Sequence, residues 1–255
     1  MGVWLCKQGF RVVAIDFPSF GRSSGLHSYL PSLRILVEAV HAVLVDVMVK
    51  DSASMAGRKV FLQGESMGGF TGLYYAALYP PMPSGSKPSK VDLEVMRPNL
   101  AGVACIAPML QISPHSRPPP AIEKVARVIA TFAGRLPFAP GVKGNVSDDI
   151  RVEHEFHDDP QTYKGWIRIA TGLAILSGMQ ELWRLAPQIT VPVSLHVRRG
   201  GKGEAHQSDR NSLLFFVVQH GKDDRATSYL GTKAFYEKLG SKDKSFRVWD
   251  GYEHM

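Results

Sequence analysis

The stretch that most constrains this chain is Gly64-Glu-Ser-Met-Gly68, which lies between an apolar run and a segment rich in small residues. Val60-Phe-Leu before it is typical of a buried strand, and the residues after it predict a helix from about Ser66 to Leu78. A serine between such a strand and helix must lie on a tight turn with positive φ. Small residues at positions 64 and 68 let that turn close.

This turn geometry exposes a serine Oγ at the carboxyl edge of a sheet. It also directs the next backbone N–H, that of Met67, toward an oxygen that gains negative charge during attack. Ser66 is therefore predicted to be a nucleophile, with Met67 as an oxyanion donor. The alternative is a serine that only caps a helix between two glycines.

The elements around this motif predict an α/β fold with a doubly wound, mostly parallel sheet. Phe10–Phe17 ("FRVVAIDF") is a near-continuous apolar run, which favours a strand buried on both faces. A helix is predicted over "YLPSLRILVEAVHAVLVDVMV", and further strands over "LAGVACIAPML", "ITVPV" and "SFRVWDG". The length of 255 residues suits one domain with one large core.

A different pattern occupies residues 113–186, with loop signals around two amphipathic runs, Ala121–Ala133 and Trp166–Leu185. We interpret it as a helical cap inserted into a core formed by residues 1–112 and 187–255. Within that core, the polar, glycine-rich segment 194–212 interrupts a strand. It is either a surface loop between two short strand pieces or a segment foreign to the fold.

A serine nucleophile needs a base, and the base needs a group that orients it. "VVQHGKDDRAT" and "FRVWDGYEHM" each predict a strand that ends in a loop, at the edge where Ser66 would emerge. His254 is therefore predicted to be the base. Asp223 and Asp224 are both candidates for the orienting acid, and His220 is interpreted as structural.

The composition limits the remaining functions. The net charge of +7 is not concentrated in a run and has no interleaved aromatic residues, so no nucleic-acid partner is expected. The two cysteines, Cys6 and Cys105, have no metal-ligand spacing, and no metal or organic cofactor is implied. No signal peptide or membrane-spanning run is recognised, which predicts a cytoplasmic protein. Association with a membrane surface is a second, weaker expectation. The sequence does not indicate an oligomeric state.

Four motifs together carry a family resemblance: "GFRVVAIDFPSFGRSSGLHSYLPS", "VFLQGESMGG" with "LAGVACIAPM", "HGKDDRAT" and "GYEHM". The chain resembles the monoacylglycerol lipase and lysophospholipase branch of the α/β-hydrolases, which is serine aminopeptidase S33-like. It is most similar to the plant-type members, which include caffeoylshikimate esterase. The resemblance implies a catalytic triad of Ser66, Asp224 and His254, and so favours Asp224 over Asp223 as the acid.

The activity implied by the resemblance is that of a serine esterase acting on monoacylglycerol or lysophospholipid esters through an acyl-enzyme. Two alternatives stay open: an esterase for smaller or hydroxycinnamoyl-type esters, and a ligand-binding hydrolase with weak or no catalysis. The cap would form an apolar tunnel and could contact membranes peripherally. Its candidate acyl-binding residues are Phe132, Leu136, Phe138, Trp166, Leu173, Leu176 and Trp183.

The chain also departs from the family pattern. The family carries an H-G-x-G-type loop upstream of the first strand, which donates a second oxyanion N–H, and a final helix after the base. Neither is expected here, so the chain is expected to be truncated at both ends, and only Met67 is assigned to the oxyanion hole.

Overall fold

The computed structural model describes residues 2–50, 58–81, 97–112, 119–139, 150–199 and 228–250. At its centre, four parallel strands form one sheet, and a short antiparallel pair lies apart from it. The central strands are β1 (Val60–Glu65), β2 (Leu100–Ile106), β5 (Val193–Arg199) and β6 (Lys244–Asp250), in that spatial order, and the separate pair is β3 (Pro137–Ala139) with β4 (Ile167–Arg168).

Seven α-helices are described, and a short 3₁₀ turn, Ala186–Gln188, follows the sixth. Their bounds are α1 (Gly2–Lys7), α2 (Arg34–Lys50), α3 (Met67–Leu78), α4 (Pro120–Ala133), α5 (Ile150–Asp158), α6 (Ile169–Leu185) and α7 (Tyr229–Lys238). Helix α3 contacts β1, β2, α2 and α6, and every residue from 69 to 77 in it is buried. The helix that follows Ser66 is thus the most enclosed of the described helices.

The strand register sets the level of the candidate site. Glu65 at the end of β1 pairs with Ile106 of β2, which pairs with His196 of β5, which pairs with Arg247 of β6. Because all four strands are parallel, their carboxyl ends lie at one edge of the sheet. Ser66 directly follows β1 and therefore lies at that edge.

The strand predicted over Phe10–Phe17 is wrong. These residues carry no strand assignment, and Phe10, Val12 and Val13 are exposed. Phe10 makes an edge-to-face contact with Phe61 of β1, with ring centroids 6.4 Å apart. An apolar run becomes a strand only when a neighbouring strand satisfies its backbone groups, and no described strand pairs with this one.

Strand β1 is an edge strand of the described sheet, and this changes its expected burial. Its residues alternate between half-buried and exposed, and Phe61 is 48% exposed. A strand covered on both faces would not alternate. One face of β1 packs on α3, and the other carries Phe61 to the surface.

The polar segment beginning at Ser194 also differs from expectation. Residues 194–199 continue β5 as a regular strand with β2 on one side and β6 on the other. Residues 194–196 pair with both neighbours and residues 197–199 with β6 alone, and this backbone pairing explains why a polar sequence forms a strand there. Residues 200–212 of the suspected insert lie outside the described residues.

The two helical runs of the cap form helices close to the predicted bounds, as α4 and α6. Helix α6 is fastened to the core by buried polar contacts. Thr171 accepts a hydrogen bond from the Leu30 N–H at 2.8 Å and donates one to the Ser28 carbonyl oxygen at 2.7 Å. The threonine hydroxyl thus satisfies two buried backbone groups of the loop before α2, and these bonds tie the loop to the cap.

A second tie joins α6 to α2 and α3. Glu181 forms an ion pair with Arg34 and accepts a hydrogen bond from the Tyr74 hydroxyl at 2.5 Å. The hydrogen bond from Arg34 is the main cause that lowers the pKa of Glu181, and that from Tyr74 adds to it. Burial is the main cause that raises the pKa of Tyr74, so its hydroxyl keeps its proton and donates.

Candidate active site

Ser66 adopts the strained turn that the sequence predicts. Its φ is +48° and its ψ is −113°, between the last residue of β1 and the first residue of α3. A non-glycine residue rarely adopts positive φ, and such a conformation costs about 1–3 kcal/mol. The surrounding contacts must therefore maintain it.

The two flanking glycines have different roles. A Cβ at Gly64 would lie 2.6 Å from the Gly69 nitrogen and still closer to the Gly68 carbonyl group, so any side chain there collides with backbone. A Cβ at Gly68 would meet nothing within 4 Å. The turn thus requires glycine at position 64, whereas position 68 has room for at least a Cβ.

Backbone hydrogen bonds from the segment after β2 hold Ser66 on both sides. The Ser66 N–H donates to the Ile106 carbonyl oxygen at 2.8 Å, and the Met109 N–H donates to the Ser66 carbonyl oxygen at 2.9 Å. Ala107, between these two partners, itself has φ +39° and is fully buried. Two consecutive strands therefore end in strained turns that support each other. Sequence reasoning missed the contribution of Ile106 and Met109, because backbone partners leave no side-chain signature.

The same support also fixes the peptide that carries the N–H of Met67, the predicted oxyanion donor. The Ser66 carbonyl and the Met67 N–H belong to one planar peptide unit and point in opposite directions. A hydrogen bond that fixes the Ser66 carbonyl therefore also fixes the direction of the Met67 N–H. Met67 is the first residue of α3, so its N–H has no acceptor within the helix and is oriented by the helix dipole for an anion.

Cys105 lies beneath the elbow and is buried completely. Its thiol is 3.5 Å from the Gly69 carbonyl oxygen, and burial raises the pKa of the thiol. A neutral, inaccessible thiol packs as a small apolar group. Cys105 thus supports the turn sterically and is not a second nucleophile.

The predicted acid and base, Asp224 and His254, lie outside the described residues, as do Asp223 and His220. Their described neighbours are informative. The Ser228 N–H, four residues after Asp224, donates to the Gln111 carbonyl oxygen at 3.0 Å, in the same segment that holds Ser66. Strand β6 ends at Asp250, four residues before His254, at the sheet edge that carries Ser66.

The seven residues predicted to bind an acyl chain are distributed unevenly. Phe132, Leu136, Phe138 and Trp166 are exposed, and Leu173 and Leu176 are half-buried on α6. Trp183 is half-buried against the core. A cavity of about 470 Å³ lies between the 18–31 loop, Ile35 and Arg135, and none of the seven lines it.

The fold and the elbow define the class of protein. A parallel sheet with helices on its faces, a helical cap, and a strained serine between a strand and a helix are those of an α/β-hydrolase. The chain belongs to the serine aminopeptidase S33 family of hydrolases, whose model matches residues 1–255.

Individual relatives agree with this assignment. The human monoglyceride lipase is 23% identical over 245 residues, which cover 96% of this chain and 66% of the human protein. The caffeoylshikimate esterase of Arabidopsis thaliana is 24% identical over 248 residues, or 96% of this chain and 62% of that enzyme. The chain thus spans just under two thirds of the length of these curated relatives.

Among solved structures, the monoacylglycerol lipase of Paleococcus ferrophilus superposes with a TM-score of 0.67 at 21% identity. The match covers 94% of this chain and 73% of that one. At this identity the likeness establishes the fold, which confirms the α/β-hydrolase prediction.

Proposed function

We propose that this chain is a serine carboxylester hydrolase that acts on monoacylglycerol or lysophospholipid esters. The observation that carries the proposal is the geometry of Ser66, a non-glycine residue at φ +48° held by backbone bonds from the next strand. A strained conformation that requires glycine at position 64 persists where it serves a function. The names of the similar human and archaeal lipases support the ester class.

In the proposed mechanism, the Ser66 Oγ attacks the ester carbonyl carbon while His254 accepts its proton. Asp224 orients the imidazole, and the Met67 N–H binds the oxygen that becomes negative. Collapse of the tetrahedral intermediate breaks the ester bond, and His254 gives its proton to the departing alcohol. Water, activated by His254, then hydrolyses the acyl-enzyme and releases the fatty acid.

The chain lengths at the sheet edge are compatible with this triad. Three strand spacings separate β1 from β6, which is about 14 Å. His254 is four positions after Asp250, and an extended chain over four positions also covers about 14 Å. The chain between Asp250 and His254 is therefore long enough to span the distance from β6 to Ser66.

A fluorophosphonate probe followed by peptide mapping tests the proposal. We expect the native chain to be labelled at Ser66, and Ser66→Ala to lose labelling and hydrolysis of 1-oleoylglycerol by on the order of 10⁶-fold. His254→Ala should lose a similar amount, and Asp224→Asn about 10⁴-fold. A native chain that folds but is not labelled at Ser66 would indicate the non-catalytic, ligand-binding alternative.

The likeness to caffeoylshikimate esterase favours a second substrate class, hydroxycinnamoyl esters. The two classes are separated by kcat/KM for 1-oleoylglycerol against a caffeoyl ester under the same conditions. A higher value for the caffeoyl ester would replace the lipid substrate in the proposal.

Peripheral membrane contact through the cap is the proposed route to an insoluble substrate. Within the described residues no helix has the length and apolar character needed to span a bilayer. Helix α4 instead carries an exposed apolar stripe of Ile122, Val125, Ile129 and Phe132, and Phe132 is 95% exposed. An apolar stripe on a chain with a net charge of +7 suits the surface of an anionic bilayer.

Sedimentation with vesicles of phosphatidylcholine and phosphatidylserine tests this contact. Phe132→Asp should reduce the bound fraction, whereas Thr131→Asp, which makes the same charge change on the opposite face of α4, should leave it near the native value. Equal binding by both variants would show that the stripe does not meet the lipid.

A further inference from the structure

Trp183, near the end of α6, makes a specific set of contacts with the core. Its indole Nε1–H donates to the Leu110 carbonyl oxygen at 2.8 Å. Its ring packs edge-on against the fully buried Phe235 of α7, with centroids 5.4 Å apart, and the Lys238 ammonium lies 5.2 Å from its centroid. One side chain of the cap thus contacts both α7 and the segment after β2.

The carbonyl group that Trp183 binds lies in the segment that supports the elbow. Met109, directly before Leu110, donates its N–H to the Ser66 carbonyl oxygen. Gln111, directly after it, accepts the hydrogen bond from Ser228. Leu110 itself is 1% exposed, so its carbonyl group has little access to water as an alternative partner.

The support extends to the proposed oxyanion donor through the planarity of one peptide. The Ser66 carbonyl oxygen accepts two hydrogen bonds, from the Met109 N–H at 2.9 Å and from the Phe70 N–H of α3 at 3.0 Å, and the Met67 N–H lies on the opposite side of the same peptide unit. A shift of residues 108–111 removes one of these two bonds, so that only the bond within α3 then directs the Met67 N–H. Oxyanion donors act only when they are aimed in advance.

We propose that Trp183 is a positioning residue, whose indole N–H fixes the Leu110 carbonyl and so holds the Met67 N–H in its catalytic direction. The inference rests on the proposed function, because it assigns Trp183 a task only if Ser66 and Met67 perform ester hydrolysis. It makes the cap part of the oxyanion hole's support. It also differs from the sequence-based prediction that Trp183 lines the acyl-chain site.

The two roles predict different kinetics. A residue that touches the acyl chain contributes to binding of the ground state, and its loss raises KM more for long chains than for short ones. A residue that aims an oxyanion donor acts in the transition state, and its loss lowers kcat equally for all chain lengths. Butyrylglycerol and oleoylglycerol therefore separate them.

The experiment replaces the indole N–H with the least change of shape. Trp183→Phe removes the donor, and 3-benzothienylalanine at position 183 keeps the bicyclic shape but has sulfur in place of N–H. Trp4→Phe, at an exposed residue of α1, is the matched control. Each preparation is titrated with a fluorophosphonate so that kcat is expressed per reactive serine, which removes the effect of any unfolded fraction.

Complete loss of an oxyanion donor lowers kcat by about 10²–10³-fold, so misdirection without loss should lower it by about tenfold. We expect this decrease for both substrates in both position-183 variants, with KM within about twofold of native and no change in Trp4→Phe. Unchanged kcat per titrated serine, or a KM that rises with chain length, overturns the proposal.

If Trp183→Phe is not recovered as a folded protein, the benzothienylalanine variant alone tests the role of Trp183, because its bicyclic ring preserves the contact with Phe235. The outcome for the proposed function is read separately. A native chain whose Ser66 does not react with the probe overturns both proposals, whereas a reactive native chain with native-like position-183 variants overturns only the role of Trp183.

Discussion

The substitution Gly64→Ala, compared with Gly68→Ala, tests whether the elbow is as tightly closed as the structure indicates. The added Cβ at position 64 would lie 2.6 Å from the Gly69 nitrogen and closer still to the Gly68 carbonyl, whereas ordinary contacts begin near 3.4 Å. The colliding atoms are backbone atoms at the start of a buried helix, so no side chain can rotate away. The segment itself must move.

Overpacking typically costs 1–3 kcal/mol, and a collision with backbone belongs at the upper end, about 3 kcal/mol. For a chain of this size each kcal/mol lowers Tm by about 2–4 °C, so Gly64→Ala should unfold about 6–12 °C below the native protein. Gly68→Ala has open space for its Cβ and gains helix propensity. It should lie within about 1 kcal/mol of native, on the stabilising side.

The assay is thermal unfolding followed by circular dichroism, with fluorophosphonate labelling of Ser66 measured on the same samples. Gly64→Ala should also label more slowly, because the φ of +48° at Ser66 cannot be kept when its neighbours move. A Gly64→Ala protein with native Tm and native labelling rate would refute the closed turn. Equal destabilisation by the two substitutions would show that the two glycines are not distinguished as described.

Three further outcomes follow from the contacts of the core and cap. The pKa of Glu181 is lowered by its partners, chiefly Arg34, so the stabilisation it provides is present above its unfolded pKa near 4.5 and is lost as pH falls through the lower folded value. Urea unfolding of native protein should therefore weaken more between pH 6 and pH 3 than that of Glu181→Gln, and parallel curves would contradict this. Burial raises the pKa of the Cys105 thiol, whereas Cys6 is exposed. Ellman's reagent at pH 8 should therefore react with one thiol in native protein and with two in urea. Two rapidly reacting thiols in native protein would show that Cys105 is accessible. Thr171→Val removes both buried hydrogen bonds of that hydroxyl and should cost about 1–3 kcal/mol by urea unfolding, and a cost near zero would mean that the cap is not fastened there.

The nucleophile motif was predictable from sequence because its signal is local. Positive φ at Ser66 and the need for glycine at position 64 both follow from a serine placed between a strand and a helix. The helices were predictable from local signals too: α3 from the small residues that follow the serine motif, and α4 and α6 from apolar periodicity over several turns.

The errors concern properties that depend on distant neighbours. Whether Phe10–Phe17 forms a strand depends on another strand lying beside it, and nothing within those residues reports that. The segment from Ser194 to Arg199 is largely polar and yet forms a strand, because its backbone pairs with β6 throughout and with β2 as far as residue 196. The support of Ser66 by Ile106 and Met109 was also invisible, because these partners act through the main chain and any residue except proline can donate an N–H at position 109.

That support has a consequence for the order of events during synthesis. Ser66 leaves the ribosome before Ile106 and Met109, which follow about forty residues later, and Trp183 follows later still. A nascent chain that ends before Met109 lacks the groups that maintain positive φ at Ser66 and is free to relax. The strained turn at Ser66 is therefore completed late in biosynthesis, only after the residues that support it have been made.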